Sequence, residues 1–218
     1  PPAFVPVNKP VDMDECRKRW LTATKKCPST SATYLVIGAG FLGSRIIESL
    51  LQRHEKVVVF DYAPSSPWAT DSRVTFIRGD ITKLNEVTAA CAGIHTVYLT
   101  AAAINFMDKL PYQWQRSFSV NVTGTENVIK ACLDTGVTFL IFTSTAHVTV
   151  RGDVLGTVAA PVALTEEDEY VTKDTCVSYY GATKALAESL IRQADGSNHT
   201  SSSGRGDSSS CLRSVCMR

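Results

Sequence analysis

Residues 33–61 read TYLVIGAGFLGSRIIESLLQRHEKVVVFD, and this stretch decides the fold. Two continuous apolar runs, at 33–37 and 56–60, are rich in β-branched residues, and the segment between them repeats its apolar residues at helical spacing. A strand, a helix and a strand within about 30 residues are typical of a βαβ unit. Because both strands are apolar throughout rather than at alternate positions, the sequence predicts a parallel sheet that is buried on both faces.

The alternation of strands and helices continues along most of the chain. Further strands are predicted at 74–77, 95–100 and 138–142, and helices near 83–92, 113–135 and 179–194. The predicted fold class is therefore α/β, a Rossmann-type doubly wound parallel sheet with helices on both faces.

Composition excludes several classes of function. A net charge of +1 and 20% charged residues give no electrostatic reason to expect a nucleic-acid partner. No apolar run reaches the roughly 18 residues that a membrane span needs, and the first residues do not resemble a signal peptide, so we expect a soluble, cytoplasmic protein. The seven cysteines are scattered without a CxxC pair, which favours neither a disulfide framework nor a metal site.

A glycine motif opens the first predicted helix. Gly38, Gly40 and Gly43 follow the first strand with the spacing GxGxxG. In βαβ units such glycines allow a tight turn, a close approach of the backbone to a pyrophosphate, and close packing of helix on strand. The amino terminus of the helix adds free N–H groups and the positive end of its dipole. The motif predicts a dinucleotide site, with an unliganded Rossmann-like scaffold as the alternative.

Asp61 ends the second predicted strand, 18 residues beyond Gly43. A carboxylate at this position is placed to accept hydrogen bonds from the adenosine ribose, and it would repel a 2′-phosphate. The sequence therefore favours NAD over NADP. Asp80, which follows the third strand, is placed either to contact adenine or to lie in a solvated turn.

Tyr180 and Lys184 are four residues apart on the last long helix, so their side chains share one face. A free phenol has a pKa of about 10, and a nearby cation favours its ionised form. The neighbouring Tyr179 has Thr183 at the same distance instead. The segment TSTAH, residues 143–147, ends the fifth strand at the edge where α/β sheets bind ligands. The alternative is a tyrosine and a lysine on a helix face beside a polar strand end.

Through these residues taken together, the chain resembles the extended short-chain dehydrogenase/reductases. Within them it is most similar to the 3β-hydroxysteroid dehydrogenase group, which includes the sterol 4α-carboxylate 3-dehydrogenases (decarboxylating). The resemblance covers residues 32–195 and rests on VIGAGFLGS, VFDYAP, FIRGDIT, SVNVTGTENVIKACLDTGV, LIFTSTAHV and YYGATKALAE.

The resemblance implies a role for each residue of the site. Tyr180 would be the catalytic acid/base, Lys184 would lower its pKa and bind the nicotinamide ribose, and Thr145 would orient the substrate oxygen. Asn121 would help to organise the site, with a helix-surface amide as the alternative. The predicted cofactor-binding residues are Gly38, Gly40, Phe41, Leu42, Gly43, Asp61, Asp80, Ile81, Ala101, Tyr180 and Lys184.

The function that the resemblance implies is NAD-dependent oxidation of a secondary, sterol-like alcohol by hydride transfer. One alternative is a sugar-nucleotide epimerase, dehydratase or reductase, which uses the same site residues. Another is a catalytically weak dinucleotide-binding module. The predicted partner is a small-molecule substrate. Family members dimerise through two helices, so the helix at 113–135 and the one that bears Tyr180 are expected to form a homodimer interface.

The predicted organisation has four segments. They are an N-terminal leader at 1–31 with a short helix around Met13 to Leu21, an NAD-binding domain at 32–195, a flexible Ser/Gly-rich linker at 196–210, and the last strand of the sheet at 211–218.

Two departures from the family are visible. GAGFLG is one residue shorter than the usual GxxGxxG, and the substrate region and membrane-associating tail that the resemblance leads us to expect after the sixth strand are not among these 218 residues. We therefore expect this chain to bind NAD(H) but to oxidise sterols poorly, and any membrane attachment to require that C-terminal region.

Overall fold

The structure is a computed structural model. It describes residues 33–63, 67–68, 70–106, 108–152, 168–196 and 212–217. The predicted leader at 1–31, with its short helix, and the predicted linker, except for Gly196, lie outside the described residues. None of the helices in the described part of the chain is long and apolar enough to cross a membrane.

The described strands and helices follow the predicted alternation. The strands are β1 (Thr33–Ile37), β2 (Lys56–Asp61), β3 (Val74–Arg78), β4 (Thr96–Leu99), β5 (Phe139–Thr143) and β6 (Arg213–Met217). The α-helices are α1 (Phe41–Gln52), α2 (Leu84–Cys91), α3 (Pro111–Phe118), α4 (Gly124–Thr135) and α5 (Tyr179–Ala194). A π-helical segment (Ser119–Thr123) joins α3 to α4, and a 3₁₀ turn (Ala146–Val148) follows β5.

Within the described residues, six strands form one parallel sheet in the order β3-β2-β1-β4-β5-β6. This is the strand order of the Rossmann fold, and it confirms the predicted fold class. The direction of the strand order reverses between β1 and β4. Ligands of such sheets bind beyond the carboxyl ends of the strands at this reversal, which is where the glycine motif follows β1.

The sheet is covered on both faces because successive side chains of a strand point to opposite sides. Leu35 and Ile37 of β1 belong to a core that includes residues of α2, α4 and α5. Val36 between them packs instead with Ile47 and Leu50 of α1. The central strand thus has helices on either side, as the continuous apolar strands predict.

The helix predicted near 113–135 begins at Pro111 and is interrupted by the π segment. A π turn holds one more residue than an α turn, so it rotates the side chains that follow, and such turns are frequent at functional sites. Asn121 and Val122 within the segment are buried. Hydrophobic periodicity could not reveal this interruption, because both halves keep a helical pattern.

Candidate active site

Two of the three motif glycines are required by the fold itself. Gly38 has φ of +97°, and a Cβ there would lie 2.5 Å from the backbone nitrogen of Ala101. A Cβ on Gly43 would lie 1.9 Å from the carbonyl oxygen of Gly38. These distances leave no room for a side chain, so α1 packs on the β1 turn as the motif predicts. Ala101, a predicted cofactor residue, holds its place by donating a 2.8 Å hydrogen bond to the carbonyl of Ile37.

Gly40 differs from the other two glycines, because a Cβ there would meet no atom of the described residues within 4 Å. It precedes the first residue of α1 and has an extended backbone that other residues adopt without strain. The packing of the protein therefore does not require glycine here. The space beside this backbone, at a helix amino terminus, fits the pyrophosphate of a dinucleotide. Phe41 and Leu42 follow it with largely exposed side chains.

The Asp61 carboxylate is held against the glycine loop. Oδ2 accepts a 2.5 Å hydrogen bond from the N–H of Ala39, and Oδ1 accepts a 2.7 Å bond from the N–H of Ala63. Because the side chain is only half-buried, its remaining lone pairs can still accept hydrogen bonds from a ligand. The structure thus fixes a negative charge beside the loop, where the sequence predicts the ribose contact.

Asp80 and Ile81 form the turn that follows β3. Asp80 Oδ1 accepts bonds from the backbone N–H and the hydroxyl of Thr82, at 2.9 and 2.8 Å. The carbonyl of the buried Ile81 accepts a 3.0 Å bond from Asn127, which ties the turn to α4. Asp80 therefore stabilises its own turn through Oδ1.

Tyr180 lies in the first turn of α5 and is 6% exposed. Burial raises the pKa of Tyr180, while a hydrogen bond with the Thr145 side chain works in the opposite direction. The Phe106 ring packs edge-on against the phenol ring at 5.6 Å between centroids, and the His147 ring lies at 6.1 Å. The structure thus brings Tyr180 and Thr145 together and surrounds the phenol with aromatic rings. The Phe106 ring belongs to no motif, so sequence patterns could not identify it, whereas His147 ends the TSTAH segment.

Lys184 is buried below Tyr180 and points toward the end of β5. Its Nζ donates a 2.6 Å hydrogen bond to the carbonyl of Thr143 and lies 3.8 Å from the centroid of the Phe142 ring. Burial lowers the pKa of Lys184 to about 7, and nearby Cys216 and Glu188 oppose that shift.

The prediction that Lys184 lowers the pKa of Tyr180 is not met by this geometry. The pKa of Tyr180 is raised instead, since burial of the phenol outweighs the Thr145 hydrogen bond. The lysine ammonium is directed at the strand-end carbonyl of Thr143. The shared helix face is therefore present, but burial dominates the titration of the phenol.

Asn121 joins three elements around the site. Its Oδ1 accepts a 2.8 Å bond from the N–H of Ala103, and its Nδ2 donates to the carbonyl of Ala103 at 3.1 Å and to Thr183 Oγ1 at 3.0 Å. It is 2% exposed, so the alternative interpretation as a helix-surface amide is wrong. Asn121 fixes the loop after β4 to the helix that bears Tyr180.

Gly181 is a site residue that the motif analysis missed. A Cβ on it would lie 2.6 Å from the carbonyl oxygen of His147. The 3₁₀ turn can therefore contact α5 only because position 181 has no side chain. Thr145 precedes that turn and accepts a 3.3 Å bond from the N–H of His147. The sequence pair Tyr180-Gly181 is a local signal of this contact, since glycine is unfavourable inside a helix unless packing requires it.

A family model covers most of the chain. The 3-beta hydroxysteroid dehydrogenase/isomerase family matches residues 35–217, which include the whole described sheet except its first two residues. The chain belongs to this family. Individual relatives with 3-beta-hydroxysteroid dehydrogenase names align with it over about three quarters of its length.

Human 3 beta-hydroxysteroid dehydrogenase type 7 is 38% identical over 175 residues, which are 75% of this chain and 44% of that protein. Bovine sterol-4-alpha-carboxylate 3-dehydrogenase, decarboxylating, is 32% identical over 169 residues, or 77% of this chain and 41% of that protein. The chain thus spans less than half the length of these curated relatives.

Solved structures agree with the fold. The UDP-glucose 4-epimerase of Thermus thermophilus, in complex with NAD, is 28% identical and superposes with a TM-score of 0.61. The match covers 74% of this chain and 50% of the epimerase. The described domain therefore corresponds to about half of that enzyme.

Proposed function

We propose that the chain is the cofactor-binding and catalytic half of an NAD-dependent oxidoreductase that oxidises a secondary, sterol-like alcohol. The observation that carries the proposal is the placement of Tyr180 beside Thr145 beyond the carboxyl end of β5, where the Thr145 side chain lowers the pKa of the phenol against the effect of burial. An acid/base phenol beside a hydroxyl that can hold the same oxygen is what alcohol oxidation needs. Membership of the family supports the reaction class.

We assign the cofactor to NAD. Gly40 leaves open space beside the amino terminus of α1, and Asp61 fixes a carboxylate at the end of β2. The negative charge disfavours a 2′-phosphate, which supports NAD over NADP. The epimerase of Thermus thermophilus was solved in complex with NAD. Lys184 would hold the nicotinamide ribose, while Asp80, Ile81 and Ala101 would line the adenine side of the crevice.

In the proposed mechanism, Thr145 holds the substrate hydroxyl against Tyr180, and the Tyr180 phenolate takes the hydroxyl proton. The carbinol carbon loses its hydrogen as a hydride, and the C–O bond becomes a carbonyl. NAD, when bound, accepts that hydride. Because burial raises the pKa of Tyr180, the neutral phenol predominates at pH 7, ready to donate its proton in the reverse reaction. Oxidation therefore speeds up as the pH rises toward that pKa.

Two adjacent tyrosines provide a matched test. Fluorescence titration with NADH should saturate for the wild-type chain and for Tyr180→Phe, whereas oxidation of a 3β-hydroxysterol should be lost only in Tyr180→Phe. Tyr179→Phe is the control, because Tyr179 packs against the Trp114 ring at 5.2 Å on another side of the helix. We expect slow turnover from this chain alone. A flat NADH titration, or turnover that survives Tyr180→Phe, would contradict the proposal.

A sugar-nucleotide epimerase or reductase is the second candidate, because the Thermus epimerase shares the fold and 28% identity. The surface beside Tyr180 favours the sterol instead. Phe106, which packs against Tyr180, and Ile104 in the same loop after β4 expose 55% and 59% of their area. Such a surface gains free energy by covering apolar rings and little by contacting a charged sugar nucleotide. Binding of UDP-glucose in preference to a 3β-hydroxysterol would favour the second candidate.

We also propose a homodimer through α4 and α5. A groove of about 410 Å³ lies between these helices, and its lining is Glu126, Ile129, Lys130, Leu133, Asp134, Leu190, Gln193 and Ala194. Apolar residues with a charged rim are typical of an interface between identical subunits. Light scattering after size exclusion should give twice the chain mass, and Leu133→Arg should give a monomer. A wild-type chain that stays monomeric at roughly 100 µM, where even weak self-association is visible, would contradict the proposal.

A further inference from the structure

A fully buried carboxylate lies directly behind the proposed catalytic residues. Glu188 is on α5, one turn after Lys184, and none of its surface is exposed. An ionised carboxylate in such a place is costly unless charges and hydrogen-bond donors surround it. The groups that surround the Glu188 carboxylate therefore indicate its role.

Three side chains donate hydrogen bonds to the carboxylate of Glu188. Ser144 Oγ, at the end of β5, donates to Oε2 at 2.5 Å, and the hydroxyl of Tyr170 donates to Oε1 at 2.9 Å. Arg192, one turn further along α5, donates through Nε at 3.2 Å and through its terminal nitrogen at 2.8 Å. These donors satisfy both oxygens in the ionised form, and Ser144 directly precedes Thr145.

Lys184 is the second buried charge of this cluster. It is 3% exposed, and its pKa falls to about 7 because of burial, while Cys216 and Glu188 oppose the fall. The groups that face this pair are Arg192 on α5, Tyr170 before α5, Cys216 on β6, and the Thr143 carbonyl on β5. Lys184 and Glu188 lie one turn apart on the same face of α5, and their side chains bond to two adjacent residues at the end of β5, Lys184 to the Thr143 carbonyl and Glu188 to Ser144. The charge of Glu188 at this position favours the protonated form of Lys184, as the nearby Cys216 also does.

We propose that Glu188 is a positioning residue that keeps Lys184 charged and seated against the end of β5, where a nicotinamide ribose would be bound. The inference rests on the proposed function for the ribose contact, but the charge relationship between the two side chains does not. Arg192 balances the charge of this carboxylate through a 2.8 Å ion pair.

The direct test is the titration of Lys184. With ¹³Cε-labelled lysine, NMR follows each lysine signal with pH, and Lys184→Met identifies the signal of Lys184. Glu188→Gln keeps the shape of the side chain but removes its charge, so we expect the Lys184 midpoint to move to lower pH. Glu48→Gln is the matched control, because Glu48 lies on the surface of α1, where it pairs with the exposed Arg45, and it should leave the midpoint unchanged.

A second measurement separates charge from hydrogen bonding. Ser144→Ala removes one donor but leaves the carboxylate, so the Lys184 midpoint should remain near that of the wild type.

At a pH above both midpoints, NADH should bind Glu188→Gln roughly tenfold more weakly for each pH unit by which the midpoint falls, because the charged fraction of Lys184 drops by that factor. If Glu188→Gln does not fold, Glu188→Asp, which keeps the charge, should preserve the midpoint.

The outcomes distinguish this inference from the proposed function. An unchanged Lys184 midpoint in Glu188→Gln, or an equal shift in Ser144→Ala, would overturn the role of Glu188. The role of Glu188 would also be overturned if Glu188→Asp shifted the Lys184 midpoint as far as Glu188→Gln does. A wild-type chain that fails to bind NADH would overturn the proposed function, while the NMR titration would still decide whether Glu188 controls the charge of Lys184.

Discussion

Asn121 Nδ2 donates a 3.0 Å hydrogen bond to Thr183 Oγ1, which connects the π segment to the residue directly before Lys184. Thr183 in turn donates to the backbone carbonyls of Tyr179 at 2.8 Å and Tyr180 at 3.1 Å. The buried amide is thus joined to the backbone of the helix turn that bears the phenol. A change at position 121 is therefore expected to alter both stability and the placement of Tyr180.

We predict that Asn121→Ala lowers the free energy of unfolding by about 1–3 kcal/mol, because it removes the partner of the N–H and carbonyl of Ala103. Urea denaturation would measure the change. Asn85→Ala removes an exposed amide from α2 and should stay within about 0.5 kcal/mol of the wild type. Equal effects of the two substitutions would show that Asn121 contributes no more than a surface amide.

Substitutions at two of the motif glycines should affect folding and cofactor binding separately. Gly43→Ala places a Cβ 1.9 Å from the carbonyl oxygen of Gly38, so we expect a loss of about 1–3 kcal/mol in stability. Gly40→Ala meets no protein atom, so the free energy of unfolding should change by less than about 0.5 kcal/mol. Its methyl group would nevertheless occupy the space proposed for the pyrophosphate, and NADH affinity should fall roughly tenfold or more.

Thermal or urea unfolding and NADH titration, applied to both glycine variants, would check this prediction. Normal NADH affinity of a well-folded Gly40→Ala variant would place the cofactor elsewhere. Full stability of Gly43→Ala would show instead that α1 can move away from the β1 turn at little cost.

Local patterns were sufficient to predict the sheet, the glycine turn and the face shared by Tyr180 and Lys184. Each depends on residues that are close in the sequence, such as the five-residue apolar run of β1. The buried contacts of Asn121 and Glu188 were not predictable, because they join segments that are 18 to 62 residues apart. The contact of Gly181 left only one local signal, a glycine inside a helix. The direction of the Tyr180 pKa shift depends on burial by the surrounding rings, which helix spacing does not reveal.

Asp61 is expected to control the choice of dinucleotide. Asp61→Asn keeps the size of the side chain but removes the charge, and Arg78 lies opposite it in the register of β2 and β3. Without the carboxylate, the guanidinium should attract a 2′-phosphate, so the ratio of NADPH to NADH affinity should rise roughly tenfold. Competitive fluorescence titration would measure the ratio, with Asp134→Asn on α4 as the surface control. An unchanged ratio would mean that Asp61 does not face the ribose.

The buried Lys184 should make stability depend on pH in a defined window. Its pKa is about 7 in the folded chain and 10.5 is the ordinary value, so between these limits the unfolded chain binds a proton that the folded chain has released. The free energy of unfolding therefore rises with pH across that window, and below about pH 7 the contribution is constant because both states are protonated.

Lys184→Met replaces this group by an apolar side chain of similar length that does not titrate. We expect the variant to be more stable than the wild type at about pH 6, where the folded wild type carries a buried ammonium, and the difference to shrink as the pH rises toward about 9.5. Urea denaturation at several pH values would measure it. The affinity of the variant for NADH should be lower than that of the wild type, since the variant lacks the proposed ribose contact. A constant difference in stability across the pH range would show that Lys184 titrates normally in the folded chain, and that the carbonyl of Thr143 and the carboxylate of Glu188 are sufficient to offset its burial.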